Sequence, residues 1–160
     1  MENFKFSEEY CNNLINIFTS DEIVKPLDNF ERKHKMFIVK EKEVYDWLWE
    51  DVNNLIKNNL GDNHFLTLWI SVLRYDKGDY FLKHEDSPYQ NDDRFMSGGV
   101  ELSKINDFEG GEFIINNEAV VFERGKLITH GIKTPHEIKE VTKGTRWSLH
   151  FGINRKKSLV

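Results

Sequence analysis

The 160-residue sequence is short of several features, and each shortage excludes a class of protein. A single cysteine, Cys11, excludes a disulfide framework within the chain and favours a reducing compartment. We find neither a signal-peptide pattern at the N-terminus nor a membrane span, so we expect a soluble, intracellular, cytoplasmic protein. The net charge of −5 argues against a general polyanion-binding surface, and hence against nucleic acid as a partner.

The composition is that of a globular domain with a sizeable core. Hydrophobic residues make up 39% of the chain and aromatic residues 13%. We find no internal repeat, low-complexity segment or linker, so we predict one domain over residues 1–160. Within it we distinguish a helical N-terminal part, residues 1–63, from a β-rich core, residues 64–154.

Two amphipathic helices are predicted in the N-terminal part. Apolar residues recur at helical spacing over residues 8–19, with Ser7 as the N-cap, and again over about 42–60. Between them, Pro26 breaks any helix, and residues 36–39 are typical of a short strand.

From residue 64 onward, short apolar and β-branched runs alternate with turn signals. About eight such strands indicate a closed antiparallel sandwich, that is, a double-stranded β-helix or jelly roll. We expect the two helices to pack on one of its outer faces. The predicted strands span residues 65–75, 80–83, 94–102, 112–115, 119–123, 126–130, 136–141 and 145–153.

A histidine and an aspartate, His84 and Asp86, lie two residues apart on an extended segment and therefore point to the same side. Two imidazoles and one carboxylate on one side of a metal form the facial triad of non-haem Fe(II) oxygenases, which leaves positions open for a co-substrate and dioxygen. We predict His84, Asp86 and His136 as the metal ligands, with His130 as the rival third ligand. Zinc is chemically compatible with the same set.

The last predicted strand separates its residues between two faces. Arg146 and Ser148 lie on the polar face, which we expect to line a pocket, and Trp147, Leu149 and Phe151 lie on the apolar face, which we expect to pack under the helices. A buried arginine needs an anionic partner. Two partners stay open: a ligand carboxylate, with Ser148 adding a hydrogen bond, or an acidic residue of the protein itself.

Two further features surround the predicted metal site. Tyr75 ends a strand shortly before His84, and a turn at Gly78 would return the chain to the entrance of the same pocket. Two roles stay open for Tyr75: its hydroxyl contacts a ligand carboxylate, or its ring packs in the core. The polar segment 87–94 follows the metal ligands directly, and it is either a mobile lid over the substrate or a solvent loop.

Three stretches of the chain resemble the 2-oxoglutarate/Fe(II)-dependent dioxygenases, prolyl 4-hydroxylase-like branch. They are residues 74–86, the segment Phe108-Glu109-Gly110-Gly111-Glu112, and residues 134–149. They occur in the order of that family and together cover much of residues 64–153.

The resemblance implies roles by position. The three metal ligands would hold Fe(II), and Arg146 would pair with the distal carboxylate of 2-oxoglutarate, with Tyr75 and Ser148 as helpers. Asp86, rather than a small residue, favours hydroxylation over halogenation. Dioxygen would be the oxidant and ascorbate a supporting reductant.

The leading substrate by resemblance is a peptidyl proline, and hence the expected partner is a protein or peptide. Two alternatives stay open. One is an oxygenase of the same family that acts on nucleic acid or a small molecule, and the other is a jelly-roll module that binds a metal or ligand without catalysis. The sequence does not fix the oligomeric state.

Overall fold

Most of the chain forms antiparallel β-structure, with two helices against it. The structure is a computed structural model that describes residues 4–20, 22–86 and 94–156. Its elements, in chain order, are α1 (Glu8–Phe18), β1 (Lys25–Asp28), β2 (Arg32–Val39), α2 (Asp46–Leu60), β3 (His64–Tyr75), β4 (Tyr80–His84), β5 (Met96–Glu101), β6 (Phe108–Gly110), β7 (Phe113–Ile115), β8 (Glu118–Ala119), β9 (Leu127–His130), β10 (His136–Ile138), β11 (Val141–Gly144) and β12 (Arg146–Arg155).

One ten-stranded sheet contains most of these strands, in the order β8-β7-β10-β4-β2-β3-β12-β5-β9, with β1 paired to β2. All of its strand pairs are antiparallel. A separate ribbon pairs β11 with β6. Strand β2 lies between β4 and β3, so the part of the chain before residue 64 contributes an interior strand to the main sheet.

The two helices agree with the predicted segments, with one difference. Helix α1 begins after Ser7, whose Oγ accepts a hydrogen bond from the Tyr10 N–H at 3.1 Å. Helix α2 starts at Asp46 instead of residue 42, because Lys42 and Tyr45 have positive φ angles, 62° and 70°, that a right-handed helix cannot contain. Neither helix in the described part of the chain has the length and apolar character that a membrane crossing requires.

The strand predicted over residues 119–123 is wrong beyond its first residue. The sheet contains only Glu118–Ala119 there, and Val121 is 88% exposed. A short apolar run forms a strand only where a neighbouring strand and a buried face are available. The strand predicted over residues 136–141 is divided between β10 and β11, which pair in different sheets.

The apolar core lies between the helices and one face of the sheet. Leu149 and Phe151 of β12 belong to the same buried cluster as Leu48 and Val52 of α2, and Cys11 of α1 is also fully buried. Burying one such large side chain is worth about 1.5–3 kcal/mol, so this face attaches both helices to the sheet. The predicted alternation along the last strand is confirmed, since its polar residues point to the opposite face.

Candidate active site

The three predicted metal ligands meet on the face of the sheet opposite the helices. His84 ends β4 and His136 begins β10, and the two residues are cross-strand partners. Asp86 follows β4, and its Oδ1 lies 3.7 Å from His84 Nε2 and 3.3 Å from His136 Nε2. One ligand atom from each residue lies within 4.8 Å of the others.

Backbone carbonyls select the tautomer of both imidazoles. His84 Nδ1 donates to the Leu82 carbonyl at 2.7 Å, and His136 Nδ1 donates to the Thr134 carbonyl at 2.8 Å. A carbonyl only accepts, so the ring proton is on Nδ1 in each case. The lone pair is therefore on Nε2, the atom directed toward Asp86, as a metal ligand requires.

These distances fit a divalent ion of the first transition row. Ligands about 2.1 Å from an ion and at right angles to one another lie roughly 3 Å apart. The two Asp86–histidine separations, 3.3 and 3.7 Å, are close to that value. Two imidazoles and one carboxylate are also the donor set of an Fe(II) facial triad, so the residues present fit the metal.

The second oxygen of Asp86 is oriented by its own partners. Ser97 Oγ donates to Asp86 Oδ2 at 2.6 Å, and His150 Nε2 lies 3.4 Å from the same oxygen. Burial acts to raise the pKa of Asp86, but the neighbouring His136 and His150 rings and the hydrogen bond from Ser97 outweigh burial and hold this pKa well below its ordinary value. The carboxylate is thus ionised and ready to bind a cation.

The rival ligand, His130, lies beside the triad and belongs to a second group around Asp86. Its ring centroid is 4.1 Å from that of His136, and Asp86, His130 and His150 form a second group with ligand atoms within 4.8 Å. His130 Nδ1 donates to the Gly131 carbonyl at 3.0 Å, and among the described residues its buried Nε2 has no partner. Burial lowers the pKa of His130 to about 4, so the ring is neutral.

The predicted carboxylate-binding residue, Arg146, borders the same cavity of about 150 Å³ as the metal ligands. It is 2% exposed, and its guanidinium donates to Ser148 Oγ at 3.3 Å. The guanidinium also forms an ion pair with Glu101, which is 4% exposed. Of the two partners left open by the sequence, the protein carboxylate is therefore present, while a ligand carboxylate remains a prediction.

Tyr75 is buried beside the cavity, and contact of its hydroxyl with a ligand carboxylate remains a prediction. It is fully buried, its ring centroid lies 5.0 Å from that of His34, and it also lines the cavity. It lies opposite Arg146 in the pairing of β3 with β12, and the guanidinium carbon is 5.4 Å from the ring centroid. Burial raises the pKa of Tyr75, so the phenol is a neutral hydrogen-bond donor.

Sequence reasoning missed two polar residues of the site, both on β5: Ser97, which donates to Asp86, and Glu101, which lines the cavity. A signal was present, because a glutamate between Val100 and Leu102 in an apolar strand needs a cation once it is buried. The predicted strand 94–102 also placed Ser97 and Glu101 on one face. In contrast, most of the candidate lid over residues 87–94 lies outside the described residues, which resume at Arg94.

Known proteins resemble this chain in sequence. The sequence profile of the 2OG-Fe(II) oxygenase superfamily matches residues 70–153. A PKHD-type hydroxylase of Idiomarina loihiensis is 29% identical over 85 residues, which are 50% of this chain and 39% of that relative. The matched part of the chain thus spans about two fifths of the relative's length.

Solved structures share the fold at low sequence identity. A prolyl-4-hydroxylase of Pseudomonas putida superposes with a TM-score of 0.71 at 17% identity, over 95% of this chain and 89% of the other. A prolyl hydroxylase of Trichoplax adhaerens, solved with a peptide fragment of the hypoxia inducible factor oxygen degradation domain, gives 0.68 at 17% identity, over 97% and 82%.

The chain belongs to the 2OG-Fe(II) oxygenase superfamily. Enzymes of this superfamily use Fe(II) and 2-oxoglutarate, and the grouping of His84, Asp86 and His136 fits the metal. The predicted jelly-roll architecture with two flanking helices is confirmed by the sheet topology and by these superpositions.

Proposed function

We propose that this protein hydroxylates a peptidyl proline with Fe(II), 2-oxoglutarate and dioxygen, and that residues 1–160 act as one dioxygenase domain. The observation that supports the reaction is the meeting of His84, Asp86 and His136 in one cavity that also contains a buried arginine. Arg146 is paired with Glu101, and the fork of its guanidinium can in addition hold a carboxylate of a dianionic co-substrate.

Each residue of the site has a separate task in this proposal. His84, Asp86 and His136 hold the iron, while Arg146, with Ser148 and Tyr75, anchors the distal carboxylate of 2-oxoglutarate. Bound iron and 2-oxoglutarate would let dioxygen oxidise the substrate, with one oxygen atom converting C–H into C–OH and the other entering succinate as 2-oxoglutarate loses carbon dioxide. The protein needs no general base for this chemistry, so we assign no role to the exposed Glu85.

Two observations support a peptide substrate. The fold is that of prolyl hydroxylases, and one of the superposed enzymes was solved with a peptide bound. The rim near the metal ligands is also aromatic. Phe81 stacks on the His84 ring with centroids 3.7 Å apart, and the Arg32 guanidinium lies 5.1 Å from the Phe81 centroid. An apolar ring with a flanking cation suits proline beside a carbonyl or acidic side chain.

The first experiment tests the metal and co-substrate. Fe(II) and 2-oxoglutarate are added to anaerobic protein, and we expect the weak visible charge-transfer absorption of the chelate. His136→Ala should lose this absorption. His64→Ala is the matched control, because His64 starts β3 and is absent from the cavity lining. A wild-type protein that never develops the absorption would favour a binding module without catalysis.

The second experiment tests the substrate. The protein is incubated with proline-containing peptides, Fe(II), 2-oxoglutarate and ascorbate in air, and we expect succinate and a product heavier by one oxygen atom. Succinate formation that no peptide stimulates, but that a small molecule or a single-stranded oligonucleotide does stimulate, would move the substrate to that class. A cytoplasmic location, predicted from the sequence, is tested by fractionation of the source cells.

A further inference from the structure

We propose that 2-oxoglutarate binding takes up one proton from solvent, which attaches to Glu101, so that a neutral Glu101 and a charged Arg146 hold the distal carboxylate together. This inference rests on the proposed function. It concerns Glu101, the buried carboxylate that forms an ion pair with Arg146.

Glu101 and Arg146 form an ion pair in the place where the co-substrate should bind. Glu101 and Arg146 are both almost fully buried, and Glu101 lies opposite Ser148 in the pairing of β5 with β12. In the described part of the chain, Arg146 has one anionic hydrogen-bond partner, Glu101, and one neutral partner, Ser148. The charge of the guanidinium is therefore balanced before any ligand arrives.

A second carboxylate at this position would create a conflict. Two anions would face one guanidinium in a buried position, and where two carboxylates share such a site the pKa of one of them is strongly raised. The distal carboxylate of 2-oxoglutarate could displace Glu101, but Glu101 would then be a buried anion without its partner. Protonation of Glu101 removes the conflict without moving the side chain.

Glu101 has an atom that is suited to the added proton. Its Oε1 accepts the hydrogen bond from Arg146, whereas its buried Oε2 has no partner among the described residues. A protonated Oε2 is a donor, and a carboxylate oxygen of the ligand is a matching acceptor. Burial raises the pKa of Glu101 and the charge of Arg146 only partly opposes this, so protonation is accessible.

Other charged or titratable groups border the cavities that Glu101 lines, but none replaces Arg146 as its partner in the described structure. Glu109 and Glu112 are exposed, and Arg32 interacts with Phe81. The groups on the elements around Glu101 are Arg146 and His150 on β12, Tyr75 on β3, His130 on β9, Arg32 on β2, Glu109 on β6 and Glu112 after it, together with His84, Asp86 and His136 of the predicted metal site.

The test is a proton count during binding. Protein loaded with Mn(II), which avoids turnover, is titrated with 2-oxoglutarate in a calorimeter, in buffers that differ in ionisation enthalpy. At about pH 8 we expect an uptake close to one proton per ligand for the wild type and close to none for Glu101→Gln. The wild-type Kd should rise by about tenfold per pH unit wherever Glu101 is ionised in the free protein, and that of the variant should not.

A ligand without the distal carboxylate provides a second control that uses only the wild-type protein. 2-Oxopentanoate has the same chain length but no distal carboxylate, so it should bind to the wild type without proton uptake, even if Glu101→Gln fails to fold. Tight 2-oxoglutarate binding with no proton uptake at any pH would overturn the proposal and leave the proposed function intact. No 2-oxoglutarate binding by the metal-loaded wild type would instead count against the proposed function itself.

Discussion

His84 and His136 are direct neighbours across two antiparallel strands, with ring centroids 4.2 Å apart, although much of the chain separates them in sequence. Both rings are held by backbone carbonyls two residues before them, those of Leu82 and Thr134. The cross-strand register thus sets the separation of the two imidazoles, and the local backbone sets which nitrogen is free.

Replacing each of the two candidate third ligands, His136 and His130, by alanine should show which of them binds the metal. We expect His136→Ala to weaken Mn(II) binding by more than about a hundredfold, because a ligand is lost, and His130→Ala by about tenfold or less, because only a neighbour changes. Isothermal titration at one pH measures both. The opposite ranking would assign the metal to the group of Asp86, His130 and His150.

Removal of the serine that orients the carboxylate should have an intermediate effect. Ser97→Ala deletes the 2.6 Å hydrogen bond to Asp86 Oδ2, and we expect metal affinity to fall by about tenfold to a hundredfold. Ser103→Ala is a matched control, because Ser103 is a buried serine that accepts a hydrogen bond from the Trp147 N–H, outside the cavity. Equal losses in both variants would indicate a general effect on folding.

Loss of the buried guanidinium should lower stability as well as co-substrate affinity. Arg146→Met leaves Glu101 buried without its partner, and we expect the free energy of unfolding to fall by about 3–5 kcal/mol. The double variant Arg146→Met/Glu101→Gln should recover much of this loss, since no charge remains unpaired, but it should still bind 2-oxoglutarate poorly. Urea denaturation measures the first effect and calorimetry the second. A double variant no more stable than the single one would contradict this account.

The stability of the metal-free protein should fall as the solution is acidified. His34 is 2% exposed, and burial lowers its pKa to about 4, against 6.5 for an ordinary histidine. In the unfolded chain His34 binds a proton near pH 6.5, whereas in the folded protein it does so only near pH 4. The contribution of His34 to the free energy of unfolding is therefore fully present above pH 6.5 and is lost as the pH falls.

The matched variant for this effect is His34→Phe, which keeps an aromatic ring between Tyr75 and Phe81. Between pH 6.5 and 4, the unfolding free energy of the wild type should fall by up to roughly 3 kcal/mol more than that of the variant. Denaturation curves at several pH values in the presence of a chelator provide the comparison. Parallel pH profiles would mean that His34 is accessible to protons in the folded state.

Much of the site could be predicted from the sequence, because its chemistry depends on residue type and local periodicity. The spacing of His84 and Asp86 places both on one side of an extended segment, and the alternation along β12 separates Arg146 and Ser148 from the core residues. Neither inference needs knowledge of a neighbouring strand.

The partners across strands could not be predicted in this way. The residues after Glu118 are typical of a strand, but no neighbouring strand within the described ranges pairs with most of them. Strand β2 is an interior strand because it pairs with β3 on one side and β4 on the other. The sequence also presented His130 and His136 as alternatives, whereas the sheet brings both rings to Asp86.

The sequence by itself determined the kinds of group that this protein brings to its site: imidazole, carboxylate and guanidinium, each on a strand face set by the two-residue repeat of extended backbone. Only the tertiary structure decided which of them meet, and in particular that Glu101 is the partner of Arg146. The reason is physical: burial and charge pairing depend on the register between strands, which local sequence does not specify.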